Sequence, residues 1–523
     1  MERWILVSII IGVYLAVTLT IGLLAGRRQS HSVAGYVAGD RSFGLLVMYF
    51  VTGASVFSAF AFLGGPGWAY SRGAAAFYIL AYGAVGMAPF YWIGPRISSL
   101  GRRHGYVTQA QLLVGRFPSR SLSTLIALLS LIAFVPYITL QMRGAGIVIE
   151  TVTDGNIPLW LGALVAYGIV IVYVLGAGVM AVGWTNTFQG IFMVVIAWTL
   201  GLYLPTKMYG GVGAMFERIA EFRPELLIPP GLDASGEPWS WGAYSSLILV
   251  SMVGLMMWPH LFMKAFAAKD DDTMRRTVIL FPTFQLFLVP VFLIGFAGVL
   301  FPQSPPAPDF ILPFMVLETG LPPLVVGLFC AGALSASMST GDALLHAAAS
   351  VVVEDGIGPY KKLTDHQQRL LMRALVLLVG AAAYVAALDP DSSLVLLLAT
   401  AYGIISQFAP TVVAGLYWKR ATTAGALWGL VAGAVTAVFF WANPELKPFQ
   451  IHEGILGLLV HVPVLVAVSL ATPRQPDRHL TRFFSRAPSE ATPPGSTPAD
   501  AEGTAPPEVD GDTGPGSLPH AAR

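Results

Sequence analysis

Long apolar runs, each ended by a short polar or basic connection, follow one another along almost the whole chain. A helix needs about 20 apolar residues to cross a bilayer's hydrocarbon core. Runs of that length fall near 4–26, 43–70, 74–98, 121–148, 157–178, 181–206, 241–266, 277–301, 321–352, 370–388, 391–418, 422–442 and 454–472, about 13 in all. They predict an all-α membrane protein. The first run is too long for the core of a signal peptide, and Arg3 before it is balanced by Glu2, so a retained span is expected. After the last run the residues turn to Pro, Ser, Thr, Ala, Gly and acids, too poor in large apolar groups to fold. The stretch 473–523 is therefore expected to be a disordered cytoplasmic tail.

Two runs carry helix-breaking residues where a span ought to be continuous. The second reads FGLLVMYFVTGASVFSAFAFLGGPGWAY over 43–70, and the seventh reads WGAYSSLILVSMVGLMMWPHLFMKAF over 241–266. Unwound main chain inside a bilayer leaves N–H and C=O groups unpaired at several kcal/mol each, so it survives only where it lines a cavity or binds something. Each broken run opens a group of five spans, 43–206 and 241–420. Groups with an odd number of spans lie in opposite orientations, as an inverted repeat requires, and matched breaks mark a transporter's site between them. Outside this five-plus-five core the pattern leaves a peripheral first span with its loop (1–42), an external loop (207–240) and two additional spans (421–472).

Charge matters here by position, because Asp, Glu, Lys and Arg make up only 11% of the chain, the net charge is +1 and the mean hydropathy is +0.68. Arg27, Arg28, Arg41, Arg96, Arg102, Arg103, Arg116, Arg120, Lys264, Lys269, Arg275, Arg276, Lys361, Lys362, Arg369, Arg373, Lys419 and Arg420 collect in alternate connections and span ends. The positive-inside rule then puts the N-terminus outside and the C-terminus in the cytoplasm. A near-neutral chain offers nothing for nucleic acid. A single cysteine, Cys330, excludes an intramolecular disulfide and a thiolate metal site. The spans also lack the paired histidines, cysteine clusters or acidic pairs of metal, haem or hydrolytic enzymes, and nothing indicates an organic cofactor or a required protein partner.

Chemistry concentrates on a few membrane positions. Ala336, Ser339 and Thr340 of the ninth span stand at i, i+3 and i+4, so a carbonyl and two hydroxyls share one helical face. That face suits close helix packing as well as a hard cation, which wants several oxygens. Asp342 lies inside the same span, where a carboxylate costs about 2.5–3.5 kcal/mol to insert. His346 follows it by four residues, and His260 follows Pro259 at the second break; each fits a satisfied packing role or a proton path. Arg143 lies deep in its run and cannot shed its proton, so it needs an anion or a route to the surface. It either snorkels outward or grips a carboxylate with its two-pronged donor face.

Four strings, GASVFSAFAFLGGPGWAY, GWTNTFQG, WPH and ALSASMSTGDALLHAAASVVVED, occur in that order on the second, sixth, seventh and ninth spans. Over about 1–472 the chain resembles the sodium/solute symporter family, in its monocarboxylate/pantothenate-like branch. The resemblance implies the leucine-transporter-type fold with discontinuous first and sixth core helices, in the plasma membrane. It also implies sodium-coupled uptake of a small organic solute by alternating access. Ala336, Ser339 and Thr340 would then complete a sodium site with the carbonyls of Ala54 and Phe57. The solute cavity would border Arg143 and be lined by Ser58, Ser251, Leu255, Trp258, Pro259, Tyr402, Ser406 and Gln407. Where relatives carry WTD this chain reads WTN, so Asn186 replaces the acid of a second sodium site. Asp342 then stands as a second cation ligand, a proton relay, or the acceptor of a hydrogen bond from Asn186 and nearby hydroxyls. So small and apolar a lining would leave a sugar's hydroxyls unpaired. The expected solute is a small monocarboxylate such as lactate, pyruvate or acetate. The alternative is a neutral or zwitterionic amino acid such as proline, or pantothenate, coupled to sodium or protons.

Overall fold

A computed structural model describes residues 2–26, 33–389 and 394–484; Arg27, Arg28 and most of the expected tail lie outside the described residues. The described chain is helical, with only isolated bridges pairing Phe43 with Ala268 and Leu232 with Pro238. Among the described residues, nine helices are long and apolar enough to cross a membrane, and counting each bent pair as one span raises this to eleven. The runs expected near 74–98 and 391–418 are divided. The first is shared by Tyr78–Gly86 and Phe90–His104, and the second by Leu394–Ile405 and Phe408–Tyr417.

The elements that build the site are α1 (Arg3–Gly26), α2 (Leu45–Val56), α3 (Gly65–Arg72), α4 (Arg120–Val152) and α5 (Leu159–Tyr209). They continue as α6 (Trp241–Gly254), α7 (Pro259–Phe262), α8 (Lys264–Ala267) and α9 (Pro323–Val351). Next come α10 (Asp365–Ala387), α11 (Leu394–Ile405), α12 (Glu453–Ala471) and α13 (Asp477–Phe484). Both expected breaks are present: the chain bends by 59° between α2 and the segment from Phe60, and by 50° between Met257 and Pro259.

Helix α9 is the axis of the molecule. Every residue from Phe329 to Val351 is buried, and the run is rich in Ala, Gly and Ser, which let α1, α4 and α5 approach its backbone closely. Tyr14 of α1 joins this packing, accepting from Ser335 Oγ at 2.8 Å and from Gln189 Nε2 at 3.3 Å, so the peripheral first span is tied to the core. The arginine-rich face is pinned by Arg116, which is fully buried and donates to the carbonyls of Trp418, Lys419 and Ala421 at 3.1–3.3 Å. Its own carbonyl accepts from His479 Nε2 at 3.0 Å. The segment from 473, expected to be unfolded, therefore begins with a docked helix. On α13, Leu480 and Phe483 are 3% exposed, an apolar face too short for a composition scan to register.

The expected spans 157–178 and 181–206 run together as α5, which reverses at Gly178 with φ 50° and ψ −141°. A Cβ there would lie 2.7 Å from the Tyr36 carbonyl oxygen, in a backbone region that side chains rarely adopt. Gly178→Ala is expected to cost about 1–3 kcal/mol. Thermal unfolding of detergent-purified protein should show a lowered midpoint, and an unchanged midpoint would contradict this reading of the turn.

Candidate functional site

The first break leaves main-chain groups without helical partners, and side chains of later helices take them up. After Val56 the chain turns extended at Phe57, with φ −94° and ψ 90°. The amide of Ala59 then donates to Gln141 Oε1 on α4 at 2.9 Å, and that of Phe60 to Ser58 Oγ at 3.2 Å. From α9, Ser339 Oγ donates to the Ala54 carbonyl at 2.8 Å, and Thr340 Oγ1 lies 3.4 Å from the same oxygen and 3.3 Å from the Ser55 carbonyl. Ser339 Oγ is also 3.3 Å from the Ala336 carbonyl. Four of the five expected cation ligands thus share one buried pocket. Phe57, the fifth, is fixed at the break by stacking on Phe281 and Phe284, at 5.7 and 5.9 Å between ring centres.

Asn186 and Asp342 flank this pocket without bonding each other. Asn186 Nδ2 donates to Ser55 Oγ at 3.0 Å and to the Ser339 carbonyl at 2.9 Å, which uses both of its hydrogens. Asp342 takes its donors elsewhere, from Tyr173 at 2.9 Å and Thr185 at 3.2 Å, both on Oδ2. The hydrogen bond expected from Asn186 to Asp342 is therefore replaced by one to each side of the break, while the expected hydroxyl donors to Asp342 are found. Asp342 Oδ1 and Asn186 Oδ1 are buried acceptors with no donor. His346 Nε2 donates to the Tyr36 carbonyl at 2.8 Å, which is the packing role, and His260 lies beside the backbone of Ser55.

Around the second break the residues expected to line a solute cavity separate into three sets. Trp258 and Ser58 face the centre. Trp258 packs on Tyr137 at 4.8 Å and on Tyr402 at 5.7 Å between ring centres, and Ser58 is fully buried beside the Tyr137 hydroxyl. Pro259 lacks an N–H and starts α7, so the Trp258 carbonyl can accept from Leu261 and Phe262 at 3.0 and 2.9 Å. Leu255 instead faces Gly86, and the Ser251 carbonyl accepts from the Leu255 amide at the end of α6. Ser406 and Gln407 turn towards α12, with Gln407 Nε2 donating to the Gly454 carbonyl at 2.9 Å. Arg143, 8% exposed, donates to the main-chain carbonyl of Asp389 beyond the end of α10.

Tyr137, Gln141, Tyr173 and Thr185 complete this geometry. Tyr137 and Gln141 stand at i and i+4 on α4, a spacing visible in the sequence, but their facing depends on how α4 is rotated against the break. Trp258 Nε1, at the second break, and Nε2 of Gln141, whose amide oxygen caps the first, are buried donors without an acceptor.

The sequence profile of the sodium:solute symporter family matches residues 36–433. An uncharacterized symporter, YhjB, of Bacillus subtilis (strain 168) is 29% identical over 484 residues, covering 89% of this chain and 96% of its own. A sodium/pantothenate symporter of Escherichia coli (strain K12) is 29% identical over 468 residues, covering 86% and 92%. A proline transporter of Bacillus subtilis and a monocarboxylate transport permease of Rhizobium johnstonii match at 27% and 26%. Among solved structures, a Na+-coupled sialic acid symporter in a substrate-bound outward-open state superposes with a TM-score of 0.76. It is 18% identical and covers 90% of this chain and 98% of its own, which shows a shared fold.

A cation held by the Ala54–Ser339–Thr340 pocket should stabilise the fold by mass action, by roughly 2.7 kcal/mol at a hundred times its dissociation constant. The thermal midpoint is expected to rise with sodium and not with choline in the parent, and to lose this response in Ser339→Ala. An equal rise in both proteins would rule the pocket out.

Proposed function

Because this chain belongs to the sodium:solute symporter family, we propose that it takes up a small monocarboxylate together with sodium by alternating access. It is a multi-pass membrane transporter, as its family is, and not an enzyme. In this reading thirteen spans form a five-plus-five inverted repeat with three flanking spans, the arginine-rich face lies in the cytoplasm and the N-terminus lies outside.

The reading rests on one observation above all. Two buried donors stand unpaired: Trp258 Nε1–H at the second break, packed on Tyr137 and Tyr402, and Nε2–H of Gln141, whose amide oxygen caps the first break. A carboxylate brings acceptors only and satisfies both, while the aromatic walls take a short carbon chain. A sugar brings as many donors as acceptors, for which this junction has few partners. Ser58 follows Phe57 directly at the unwound turn, so sodium at Ala54, Phe57, Ala336, Ser339 and Thr340 sets the main chain that also borders the solute.

Coupling then follows from differential affinity. Sodium favours the conformation in which these oxygens converge, and the solute binds that conformation better, a coupling typically worth about 1–3 kcal/mol. Asp342, with one oxygen free of donors, adds negative charge near the cation, and Asn186 holds Ser55 and Ser339 in register. Arg143 supplies the positive field that a carboxylate needs and exchanges the Asp389 carbonyl for the solute.

A second reading has an observation of its own. The bond from Arg143 to the Asp389 carbonyl engages its charge outside the junction, as expected if the solute is a zwitterion such as proline and Arg143 is structural. Uptake of labelled lactate, pyruvate, acetate and proline into proteoliposomes, with and without an inward sodium gradient, separates the two. The parent should accumulate a monocarboxylate only with the gradient, and Arg143→Gln should lose at least about tenfold of that uptake, the worth of a charged hydrogen bond. Uptake of proline alone would establish the second reading instead, and full carboxylate uptake by Arg143→Gln would remove Arg143 from the solute site.

A further inference from the structure

Lys264 belongs, by sequence, with the basic residues that orient the chain, yet the structure buries it. Its side chain sits on α8 with the residue only 6% exposed, and it lines a cavity of about 20 Å³, room for roughly one water. The other walls are Val37, Val179, Val182, His260, Met263, Ala267, Ala343, His346 and Ala347. Three helical stripes run from the cation pocket to this cavity. Ser339, Ala343 and Ala347 follow one another at intervals of four on α9; Asn186, Val182 and Val179 descend α5 at intervals of four and three; His260, Lys264 and Ala267 face them from α7 and α8 at intervals of four and three. The cavity therefore lies along the same helix faces as the cation ligands, on the side where Arg41 donates to the Phe266 carbonyl.

The charges around the ammonium are few. His260 lies on its own arm, α9 contributes His346 and the carboxylate of Asp342, whose attraction reaches Lys264, and α5 contributes only valines. No ion pair within 4.0 Å ties Lys264 to Asp342 among the described residues. The lysine amine thus stands beside the route and is not half of a closed salt bridge. An ionisable side chain kept at membrane depth, where it is costly, points to a role in the ion's path.

The arm carrying it is bounded by a bend at one end and by main-chain bonds at the other. Helices α7 and α8 begin after the 50° bend at Trp258, and their far end is joined to the start of the first broken helix. There the Phe43 amide donates to the Ala267 carbonyl at 3.1 Å, and the Lys269 amide to the Phe43 carbonyl at 3.0 Å.

We propose that Lys264 is a tethered cation standing on sodium's exit route to the cytoplasm, so that sodium leaves only when the α7–α8 arm withdraws and takes the ammonium with it. This rests on the sodium-coupled reading above and adds the residue that keeps the coupling tight. While the arm is in place, a sodium ion leaving the Ala54–Ser339–Thr340 pocket meets a like charge with nowhere to move. Removing that charge opens a leak without touching a sodium ligand.

The test is release of radioactive sodium from proteoliposomes in the absence of solute, alongside sodium-driven solute accumulation. Lys264→Met should release sodium about tenfold faster than the parent or more, within the range of site-to-site couplings, and should accumulate less solute. Lys264→Arg, which keeps the charge, should match the parent. Release and accumulation unchanged in Lys264→Met would overturn the proposal. If Lys264→Met does not fold, Lys264→Cys provides the second route, since the other cysteine, Cys330, is buried. A thiol reagent that delivers an ammonium should suppress the leak and a neutral reagent of similar size should not; equal effects of the two would overturn the proposal. A parent that shows no sodium-driven uptake would instead remove the symport reading on which the proposal rests.

Discussion

Main-chain carbonyls at the first break have no helical partner in a medium without water, and the structure answers them with hydroxyls from a helix nearly 300 residues later. The 2.8 Å bond from Ser339 Oγ to the Ala54 carbonyl, with Thr340 beside it, closes that demand. Orphaned polar groups at this depth cost several kcal/mol each, so the break and α9 depend on each other for their existence. An ion that offers the same oxygens a stronger partner therefore acts on two distant segments at once. This is the physical basis on which sodium binding can bias the whole molecule.

The surrounding architecture transmits that bias. Gln141 of α4 accepts from the Ala59 amide, and the Ser337 hydroxyl of α9 donates to the Gln141 carbonyl at 2.6 Å, so the unwound segment is clasped between two long helices. Asn186 of α5 bridges the same two sides, from Ser55 to the Ser339 carbonyl. The amide of Asn186 puts neutral donors on this bridge, and a buried carboxylate, Asp342, lies beside it on α9. Trp258 and His260 at the second break pack on Tyr137 of α4, the helix that also caps the first break through Gln141.

Much of this was legible in the chain itself. Interrupted apolar runs at 43–70 and 241–266 announce the bends because proline and clustered glycine and serine weaken a helix at membrane depth. The spacing of Ala336, Ser339 and Thr340 is a property of any helix, so their shared face needs no tertiary knowledge. What the chain could not show is rotation about each helix axis. Gln407 reads as a cavity residue but turns to α12, and Asn186 reads as a partner of Asp342 but reaches Ser55. Lys264 reads as a boundary charge but is buried, on a short helix that follows the 50° bend at Trp258. Near the arginine-rich face, α13 escaped notice because eight residues with a small apolar face vanish in the average of a polar tail.

The most direct test is a pair of high-resolution electron cryo-microscopy maps, one in saturating sodium with a solute and one in choline. With sodium, the account predicts a density peak among the Ala54, Phe57 and Ala336 carbonyls and the Ser339 and Thr340 hydroxyls. It also predicts that Ser339 Oγ and the Ala54 oxygen, now 2.8 Å apart, separate beyond hydrogen-bonding range to admit the ion. The same direct hydroxyl-to-carbonyl bond in both maps, with no density beside it, would contradict the account.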